Sequence, residues 1–398
     1  MVISNPGLCG KAAGQKWLSS LYLVKERGGF SGFDHRPGIG DTTHMTTYVH
    51  NIDPFAIQFT ETFGIRWYGL AYLAGFILGG MVMQLLVKRG TSPLTKDHVW
   101  DFITAVAIGT LAGGRLGYAI FYAPELLIDF SASFPFWGVL AVHKGGMASH
   151  GGIMGCMLAA YYFHRKHGYP VLHLFDLMTF GGSLGIFFGR IANFINGELY
   201  GRVAPEGYAW AVKFPGEIHR YGVEKLKALG AAADALGSVR LNEGLVKLNA
   251  ETWDFWVSSR YYSKINPTLD AMITAIQNGA TEVATAMAPV LASRYPSQIY
   301  QALMEGLLVF LLCAILWVRP MKPGVLGGIF GLAYAVMRII GEQFRLPDAH
   351  LGYQLFGLTR GQWISIAMIG VAIALIVFSA TRKSQPMGGW FKRDPKGS

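Results

Sequence analysis

The sequence predicts an all-α polytopic membrane protein with seven transmembrane helices, an exterior N-terminus, a cytoplasmic C-terminus and one larger exterior insertion. Charged residues make up only 15% of the 398 residues, whereas soluble domains carry about 25%. Apolar residues reach 52%, and the mean hydropathy is +0.33. A chain of this length would otherwise predict about two or three soluble domains, but the low charge and the high hydropathy argue against that class.

Seven apolar runs approach or exceed the length of about 20 residues that is needed to cross the hydrocarbon core. They cover residues 64–87, 98–122, 147–163, 171–192, 298–318, 324–343 and 362–381. The third run is short, and its outer end is ambiguous because residues 134–142 are also apolar. The predicted domains are an exterior N-terminal extension (1–63), transmembrane helices 1–4 (64–192), an exterior periplasmic head (193–297), transmembrane helices 5–7 (298–381) and a cytoplasmic basic tail (382–398).

The distribution of lysine and arginine predicts the orientation of the spans. Alternate connections carry the basic residues Lys88, Arg89, Lys96, Arg165, Lys166, Arg319, Lys322, Arg382 and Lys383. The opposite connections carry only Lys144, Arg345 and Arg360. Since basic loops stay in the cytoplasm, the N-terminus is predicted outside and the C-terminus inside. The net charge of +10 is therefore interpreted as a topology signal, and no nucleic-acid partner is predicted.

Glycine recurs at helical spacing inside the spans and predicts close packing between helices. These glycines are Gly75 and Gly79, Gly109 and Gly113, Gly151 and Gly155, Gly181 with Gly185 and Gly189, and Gly327 and Gly331. Some of them are also expected to line a cavity, because glycine has no side chain to fill the space. The cysteines Cys9, Cys156 and Cys313 show no metal or redox spacing, so neither a disulfide framework nor a metal site is predicted.

The exterior head is predicted to contain short amphipathic helices. Residues 222–249 and 267–288 show an Ala/Leu periodicity that is typical of such helices. Asn266-Pro267 is typical of a helix start. The extension 1–63 contains no signal-peptide apolar region.

Ionisable and amide side chains collect at the predicted outer ends of five spans. They are Arg66 and Tyr68 in the first, Arg115 in the second, His150 in the third, Arg190, Asn193, Asn196 and Glu198 in the fourth, and Tyr334, Arg338, Glu342 and Arg345 in the sixth. The sixth-span residues follow i, i+4, i+8, i+11 and so share one helix face, and Gly197 is a plausible helix stop that turns Glu198 inward. Polar groups are costly in a membrane and usually mark function, so a site at the outer leaflet is predicted.

The residue types at this site suit an anionic lipid head group. Arginine presents a planar fork that matches phosphate oxygens, and the asparagines could fix hydroxyl or ester oxygens. Histidine changes charge near neutral pH, which makes His150 the predicted proton acceptor. Structural alternatives remain open: Arg338 and Glu342 could form a simple intrahelical pair, Arg190 could extend to the interface, and His150 could be structural.

Residues 189–202 resemble the signature of the prolipoprotein diacylglyceryl transferases, with the sequence Gly-Arg-Ile-Ala-Asn-Phe-Ile-Asn-Gly-Glu-Leu-Tyr-Gly-Arg. Four further segments match in the family's order: Trp67-Tyr68-Gly69-Leu70, residues 113–118, His150-Gly151-Gly152 and residues 338–348. The resemblance covers about residues 55–215 and 295–380. It departs at Ala192, where the family usually has glycine, and at residues 295–301, where Tyr-Pro-Ser-Gln-Ile-Tyr-Gln replaces His-Pro-Ser-Gln-Leu-Tyr-Glu. Residues 1–50 and much of 218–292 exceed the family's pattern.

This resemblance implies an enzyme of the bacterial cytoplasmic (inner) membrane whose active site faces the outer leaflet. Such an enzyme transfers the diacylglyceryl group of phosphatidylglycerol to the lipobox cysteine thiol of a prolipoprotein, forms a thioether and releases glycerol phosphate. The implied catalytic residues are His150 as the base, Glu198 or Glu342 as alternative bases, and Arg190 and Arg338 at the phosphate. The implied lipid- and substrate-binding residues are Arg190, Tyr68, Asn193, Asn196, Arg115, Tyr334, Gly201 and Arg345. No cofactor or metal is implied.

Two other classes remain as alternatives. A membrane transporter would use intramembrane acids, for which Asp176 and Glu305 are the candidates. However, transporters commonly bind near the midplane between repeats, whereas the polar groups here collect at one end of the spans. A non-catalytic lipid- or lipoprotein-binding protein on the same scaffold is kept open by the altered segment 295–301.

Overall fold

A computed structural model describes residues 47–59, 64–89, 92–132, 135–141, 145–347 and 352–390. Most of the predicted extension 1–63, together with Cys9 and the last residues of the basic tail, lies outside these described residues. The described part of the chain is mostly helical. Its α-helices are α1 (Trp67–Lys88), α2 (Lys96–Phe121), α3 (Ser149–His167), α4 (Val171–Ile195), α5 (Val223–Lys227), α6 (Gly230–Leu236), α7 (Ala250–Ser258), α8 (Tyr262–Gln277), α9 (Thr281–Met287), α10 (Ser297–Gln301), α11 (Val309–Leu316), α12 (Val325–Gly341) and α13 (Arg360–Thr381).

Each of the seven predicted apolar runs forms a helix. The fifth is continuous from Ser297 to Leu316, because a π-helical segment (Ala302–Leu308) joins α10 to α11. Among the residues that the structure describes, five helices are long and apolar enough to cross a membrane: α1, α2, α4, the composite Ser297–Leu316 and α13. The helical membrane class is thus confirmed. That α3, which ends in a basic turn, and the 17-residue α12 also cross remains a prediction, as does the orientation of the bundle.

Glycines bring the helices into backbone contact, as their spacing predicts. A Cβ atom on Gly79 would lie 2.7 Å from Cα of Gly181, which joins α1 to α4. A Cβ atom on Gly155 would overlap the carbonyl oxygen of Gly109, which joins α3 to α2. By contrast, a Cβ atom on Gly331 would make only an ordinary 3.5 Å contact with Ala372. Close backbone approach therefore requires glycine in the α1–α4 and α2–α3 pairs.

The largest apolar core of the bundle lies at one end of the helices. Fully buried Phe102 of α2, Leu174 of α4 and Leu326 of α12 belong to it, together with Trp317 at the end of α11. Asp176 accepts backbone N–H groups of the first turn of α12, from Gly324 and Gly327, each at 2.7 Å. Asp176, a candidate in the transporter alternative, thus caps a helix. The predicted site residues occupy the other end of the same helices.

The head has a hydrophobic core of its own beneath helices α5–α9. Buried Trp253, Trp256, Leu269 and Met272 belong to this core. Three short strands tie the head to the preceding chain: β1 (Tyr48–Val49) pairs with β4 (Val212–Lys213), which pairs with β7 (Ser293–Arg294). A separate hairpin precedes α1, formed by β2 (Phe55–Gln58) and β3 (Gly64–Arg66).

Two predictions for the head are wrong. Part of the predicted helical region 222–249 is a hairpin of β5 (Ser238–Leu241) and β6 (Gly244–Lys247). Gly244 turns the chain at a φ of 114°, and the exposure of β5 alternates with strand period, Val239 being buried and Arg240 exposed. Asn266-Pro267 does not start a helix, because α8 begins at Tyr262 and contains Pro267. An internal proline forfeits one backbone hydrogen bond, which the burial of the helix's apolar face outweighs.

His50 provides a test of pH-dependent stability at the junction between head and bundle. Its ring is buried against Phe194 and Phe214, both with ring centroids 5.4 Å away, and this burial lowers its pKa from 6.5 to about 4. Between these values the unfolded chain binds a proton that the folded chain does not. The free energy of unfolding should therefore fall by about 1.4 kcal/mol for each pH unit below the unfolded pKa, until the folded pKa is reached.

The variant His50→Phe keeps an aromatic ring in this pocket and removes the titration. Unfolding temperatures at neutral pH and at about pH 5 should differ less in the variant than in the wild type. An equal difference in the two proteins would contradict the role of His50.

Candidate active site

The end of α4 forms the first part of the site. The helix stops where the sequence predicts, with Gly197 at a φ of 61°, and the chain turns Glu198 back toward α1. The carboxylate of Glu198 accepts hydrogen bonds from the hydroxyl of Tyr68 and, at 2.9 Å, from the amide of Asn193. Gln298 donates to the Glu198 carbonyl at 2.7 Å and fixes the turn. Tyr68, Asn193 and Glu198 thus form a hydrogen-bonded triad between α1 and α4.

Two arginines meet at one buried carboxylate. Arg190 lies one turn before Asn193 on α4, and its Nη2 donates to Oε2 of Glu305 at 2.9 Å. Nη1 of Arg338, from α12, reaches the other carboxylate oxygen, Oε1, at 3.4 Å. Glu305 is fully buried within the π-helical segment, and Tyr334 lies beside all three charged groups. Guanidinium groups from two helices are therefore held next to each other.

Glu342 extends this cluster along α12. It accepts from Nη2 of Arg338 at 2.5 Å, lies 3.6 Å from Nη1 of Arg345 and accepts from the hydroxyl of Thr359 at 3.0 Å. The pair of Arg338 and Glu342, which was one of the structural alternatives to a binding role, is therefore present. Since Arg338 also contacts Glu305 on another helix, the pair is part of a wider network.

His150 shares a cavity of about 280 Å³ with the arginine cluster. The cavity is lined by Tyr122, Ser149, His150, Arg338, Glu342, Arg345, Pro347, Gly352, Thr359, Arg360, Gly361 and Ile364. His150 is the second residue of α3 and its side chain is exposed, so a reactant in the cavity can approach the imidazole. A proton acceptor and guanidinium groups thus line one space, an arrangement suited to transfer of a group away from a phosphate.

Arg115 occupies a different position from the other predicted site residues. It is 5% exposed and donates to the backbone carbonyls of Gly138, Val139, Ala141, Gly145 and Gly146. These contacts hold the segment that leads into α3, and the small cavity beside Arg115 is separate from that of His150. Its direct role in lipid binding remains a prediction, whereas the contacts favour a supporting role for the segment before His150.

Gly201 and Asn196 contribute to the site in unequal ways. A Cβ atom on Gly201 would overlap the carbonyl oxygen of Tyr295 and lie 2.8 Å from that of Phe344, so this position needs glycine for close backbone approach. The Oδ1 atom of Asn196 is buried and has no hydrogen-bond partner among the described residues. A hydroxyl-bearing ligand could supply that missing donor.

Glu305, Gln298 and Thr359 were missed as site residues by sequence reasoning. Glu305 is the only acid in the apolar helix Ser297–Leu316, and an intramembrane acid signals function. The sequence interpretation assigned it to the transporter alternative, whereas it pairs with Arg190 and Arg338, both predicted site residues. Gln298 and Thr359 carry no comparable signal, because their roles depend on which residues lie opposite them.

The residues of this site all lie within the part of the chain that matches known proteins. Residues 54–378 match the family described as prolipoprotein diacylglyceryl transferase. A phosphatidylglycerol–prolipoprotein diacylglyceryl transferase of Bdellovibrio bacteriovorus is 47% identical over 345 residues, which cover 86% of this chain and 97% of that protein. Proteins with the same description from Nitrobacter winogradskyi and Paramagnetospirillum magneticum are each 33% identical, over 84% and 85% of this chain and 90% and 98% of theirs.

Proposed function

The chain belongs to the prolipoprotein diacylglyceryl transferase family, and we propose that it transfers the diacylglyceryl group of phosphatidylglycerol to the lipobox cysteine thiol of prolipoproteins. A thioether forms and glycerol phosphate leaves. The observation that carries this proposal is the buried cluster of Arg190, Glu305 and Arg338, next to a cavity that His150 lines. Such a cluster can stabilise negative charge on a phosphate while a base lies within reach of the attacking group.

His150 activates the substrate thiol. A thiol attacks as the thiolate, so the imidazole accepts the thiol proton as the sulfur–carbon bond forms. Glu342 is a weaker candidate, because its carboxylate already accepts from Thr359 and pairs with Arg338 and Arg345. Glu198 is similarly occupied by Tyr68 and Asn193. Exposure to the cavity favours His150, as does the lack of an ion pair between it and any other residue that the structure describes.

Arg190 and Arg338 stabilise the leaving group. As the sulfur–carbon bond forms, the bond between the glyceryl carbon and the phosphate oxygen breaks, and its electron pair goes to that oxygen. The phosphate charge grows from one toward two, and the guanidinium groups neutralise the increase. Donors of this kind typically contribute about 10²–10³-fold each to kcat. No further reactant is needed, because the phosphate is already attached to the carbon under attack.

The remaining polar residues hold the lipid. We propose that Tyr68, Asn193 and Asn196 bind glyceryl and head-group oxygens. The side chains of Tyr68 and Asn193 end at Glu198, and Asn196 Oδ1 has no partner among the described residues. Arg345 and Tyr334 complete the phosphate side, and Gly201 admits the backbone of the segment 344–345. Arg115 acts through the segment that precedes His150.

We propose that seven helices span a bacterial inner membrane, and the placement of exposed side chains supports an orientation with the site at the outer leaflet. Large apolar groups are exposed next to the site ends of the helices, including Phe59, Phe121, Ile128, Phe130, Trp210, Leu355 and Phe356. Basic residues lie at the other ends, including Lys88 and Arg165. Aromatic groups concentrate at membrane interfaces, and basic residues concentrate on the cytoplasmic side.

The test is a transfer reaction with defined components. The purified protein is mixed with phosphatidylglycerol and a synthetic lipobox peptide, and the peptide's mass is followed. We expect a thioether-linked diacylglyceryl peptide, which is absent when the lipobox cysteine is replaced by serine. If a folded, monodisperse protein gave no product, the transferase proposal would be overturned. If that protein instead carried a labelled solute across vesicle membranes, the transporter alternative would be favoured.

A further inference from the structure

Glu305 joins the two arginines that the proposed function assigns to the phosphate. We propose that Glu305 is a positioning residue, which holds the guanidinium groups of Arg190 and Arg338 in convergent orientations for a phosphodiester. The inference rests on the proposed function. Each carboxylate oxygen serves one arginine, with Oε2 at 2.9 Å from Nη2 of Arg190 and Oε1 at 3.4 Å from Nη1 of Arg338.

The charges explain why an acid is needed between these arginines. Two guanidinium groups on separate helices repel each other, and the repulsion grows where water is scarce. A buried carboxylate is costly when unpaired, so its burial requires that both partners stay in place. Within the cluster, Arg190, Arg338 and Arg345 oppose Glu305 and Glu342. These ion pairs leave the cluster with a net positive charge, which favours an anionic phosphodiester.

The π-helical segment delivers Glu305 to this position. Gly306 follows Glu305, and a Cβ atom on it would lie 2.6 Å from Cα of Phe187. Phe187 precedes Arg190 by about one helical turn, so the segment packs its backbone directly against the part of α4 that carries the arginine. A π segment widens the helix and occurs frequently at functional sites. Gln301, one turn earlier, is neutral and fully buried, so Glu305 supplies the only negative charge that this helix brings to the site.

A positioning role predicts opposite effects on lipid binding and on turnover. The carboxylate competes with a phosphate for the arginine donors. Its replacement by a neutral amide should therefore strengthen the attraction of the cluster for an anionic lipid. The same replacement releases the two guanidinium groups from their fixed orientations, and misplacement by about 1 Å can lower turnover by about 10²-fold. A purely structural role would instead lower the fraction of folded protein without separating binding from turnover.

The experiment compares Glu305→Gln and Glu305→Asp with the wild type in full-length protein. Transfer to a lipobox peptide gives kcat, and titration with short-chain phosphatidylglycerol gives Kd. For Glu305→Gln we expect kcat to fall by about tenfold or more, while Kd stays unchanged or falls. Glu305→Asp keeps the charge and should recover part of kcat; it also serves as the test variant if Glu305→Gln does not fold.

Glu217→Gln is the matched control. Glu217 is 1% exposed and pairs with Arg294 in the head, so this variant loses a buried ion pair outside the site. Its kcat and Kd, measured on the folded fraction, should equal those of the wild type.

Two results for Glu305→Gln would overturn the positioning role. One is a wild-type kcat, and the other is a loss of turnover that a proportional rise in Kd explains. If the wild type makes no thioether, the proposed function fails, and Kd alone then tests Glu305: a rise in Glu305→Gln overturns the role.

Discussion

Replacing Arg190 by alanine should lower kcat for diacylglyceryl transfer by about 10²–10³-fold. The variant removes a guanidinium group that neutralises charge as the phosphate leaves, and it leaves Glu305 with a single arginine partner. The carboxylate of Glu305 then pairs with Arg338 alone, which further reduces the positive charge available to the lipid. The measurement is the initial rate of thioether formation at saturating phosphatidylglycerol, normalised to folded protein.

Two variants separate this effect from general disruption. Arg190→Lys keeps the charge but loses the planar fork, so its kcat should lie between those of the wild type and Arg190→Ala. Arg165→Ala removes an exposed arginine at the opposite end of α3 from His150 and should transfer at the wild-type rate. Full transfer by Arg190→Ala would show that Arg190 does not act on the phosphate.

The variant His150→Gln should lower kcat by about 10²–10⁴-fold, the usual contribution of a general base. Glutamine retains a polar side chain in the cavity but cannot accept the thiol proton. Without a base at position 150, the small residual rate of His150→Gln should rise with pH more steeply than the wild-type rate, because it depends on ionisation of the free thiol.

His219→Gln is the control for the histidine change. His219 lies in the head, partly exposed, with Asp270 as its partner, and its replacement should leave the rate and its pH dependence unchanged. A His150→Gln profile parallel to that of the wild type would remove His150 as the base. Glu342→Gln would then be the next variant, because Glu342 lines the same cavity.

The membrane-spanning part of the fold could be predicted closely. The first predicted run, 64–87, corresponds to Trp67–Lys88, and the last, 362–381, to Arg360–Thr381. The head was predicted less well. The hairpin at residues 238–247 was expected to be helical, because its few apolar residues fit either period when the rest of the core is unknown.

The positions of the predicted site residues follow in part from local patterns in the sequence. The turn at Gly197 follows from glycine's conformational freedom and occurs as expected, and Tyr334 and Arg338 lie one turn apart on α12. The helix ends at Gly341, however, so Glu342 is its C-cap and Arg345 of the predicted stripe lies beyond the helix. The pairing of Glu305 with the two arginines and the contacts of Arg115 with backbone carbonyls were not predicted. Their neighbours come from segments distant in the chain, and no local pattern specifies them.

The sequence by itself determined a helical membrane protein, the positions of its long apolar helices and a polar group at one end of the bundle. These follow from the lengths of apolar runs and from residue spacing, which are local properties of the chain. Only the tertiary structure decided that Glu305 joins Arg190 to Arg338, that Arg115 holds the segment before His150, and that His150 shares a cavity with Arg338. A buried charge is stable only beside the partners that packing brings to it, and those partners are known only once the helices are in contact.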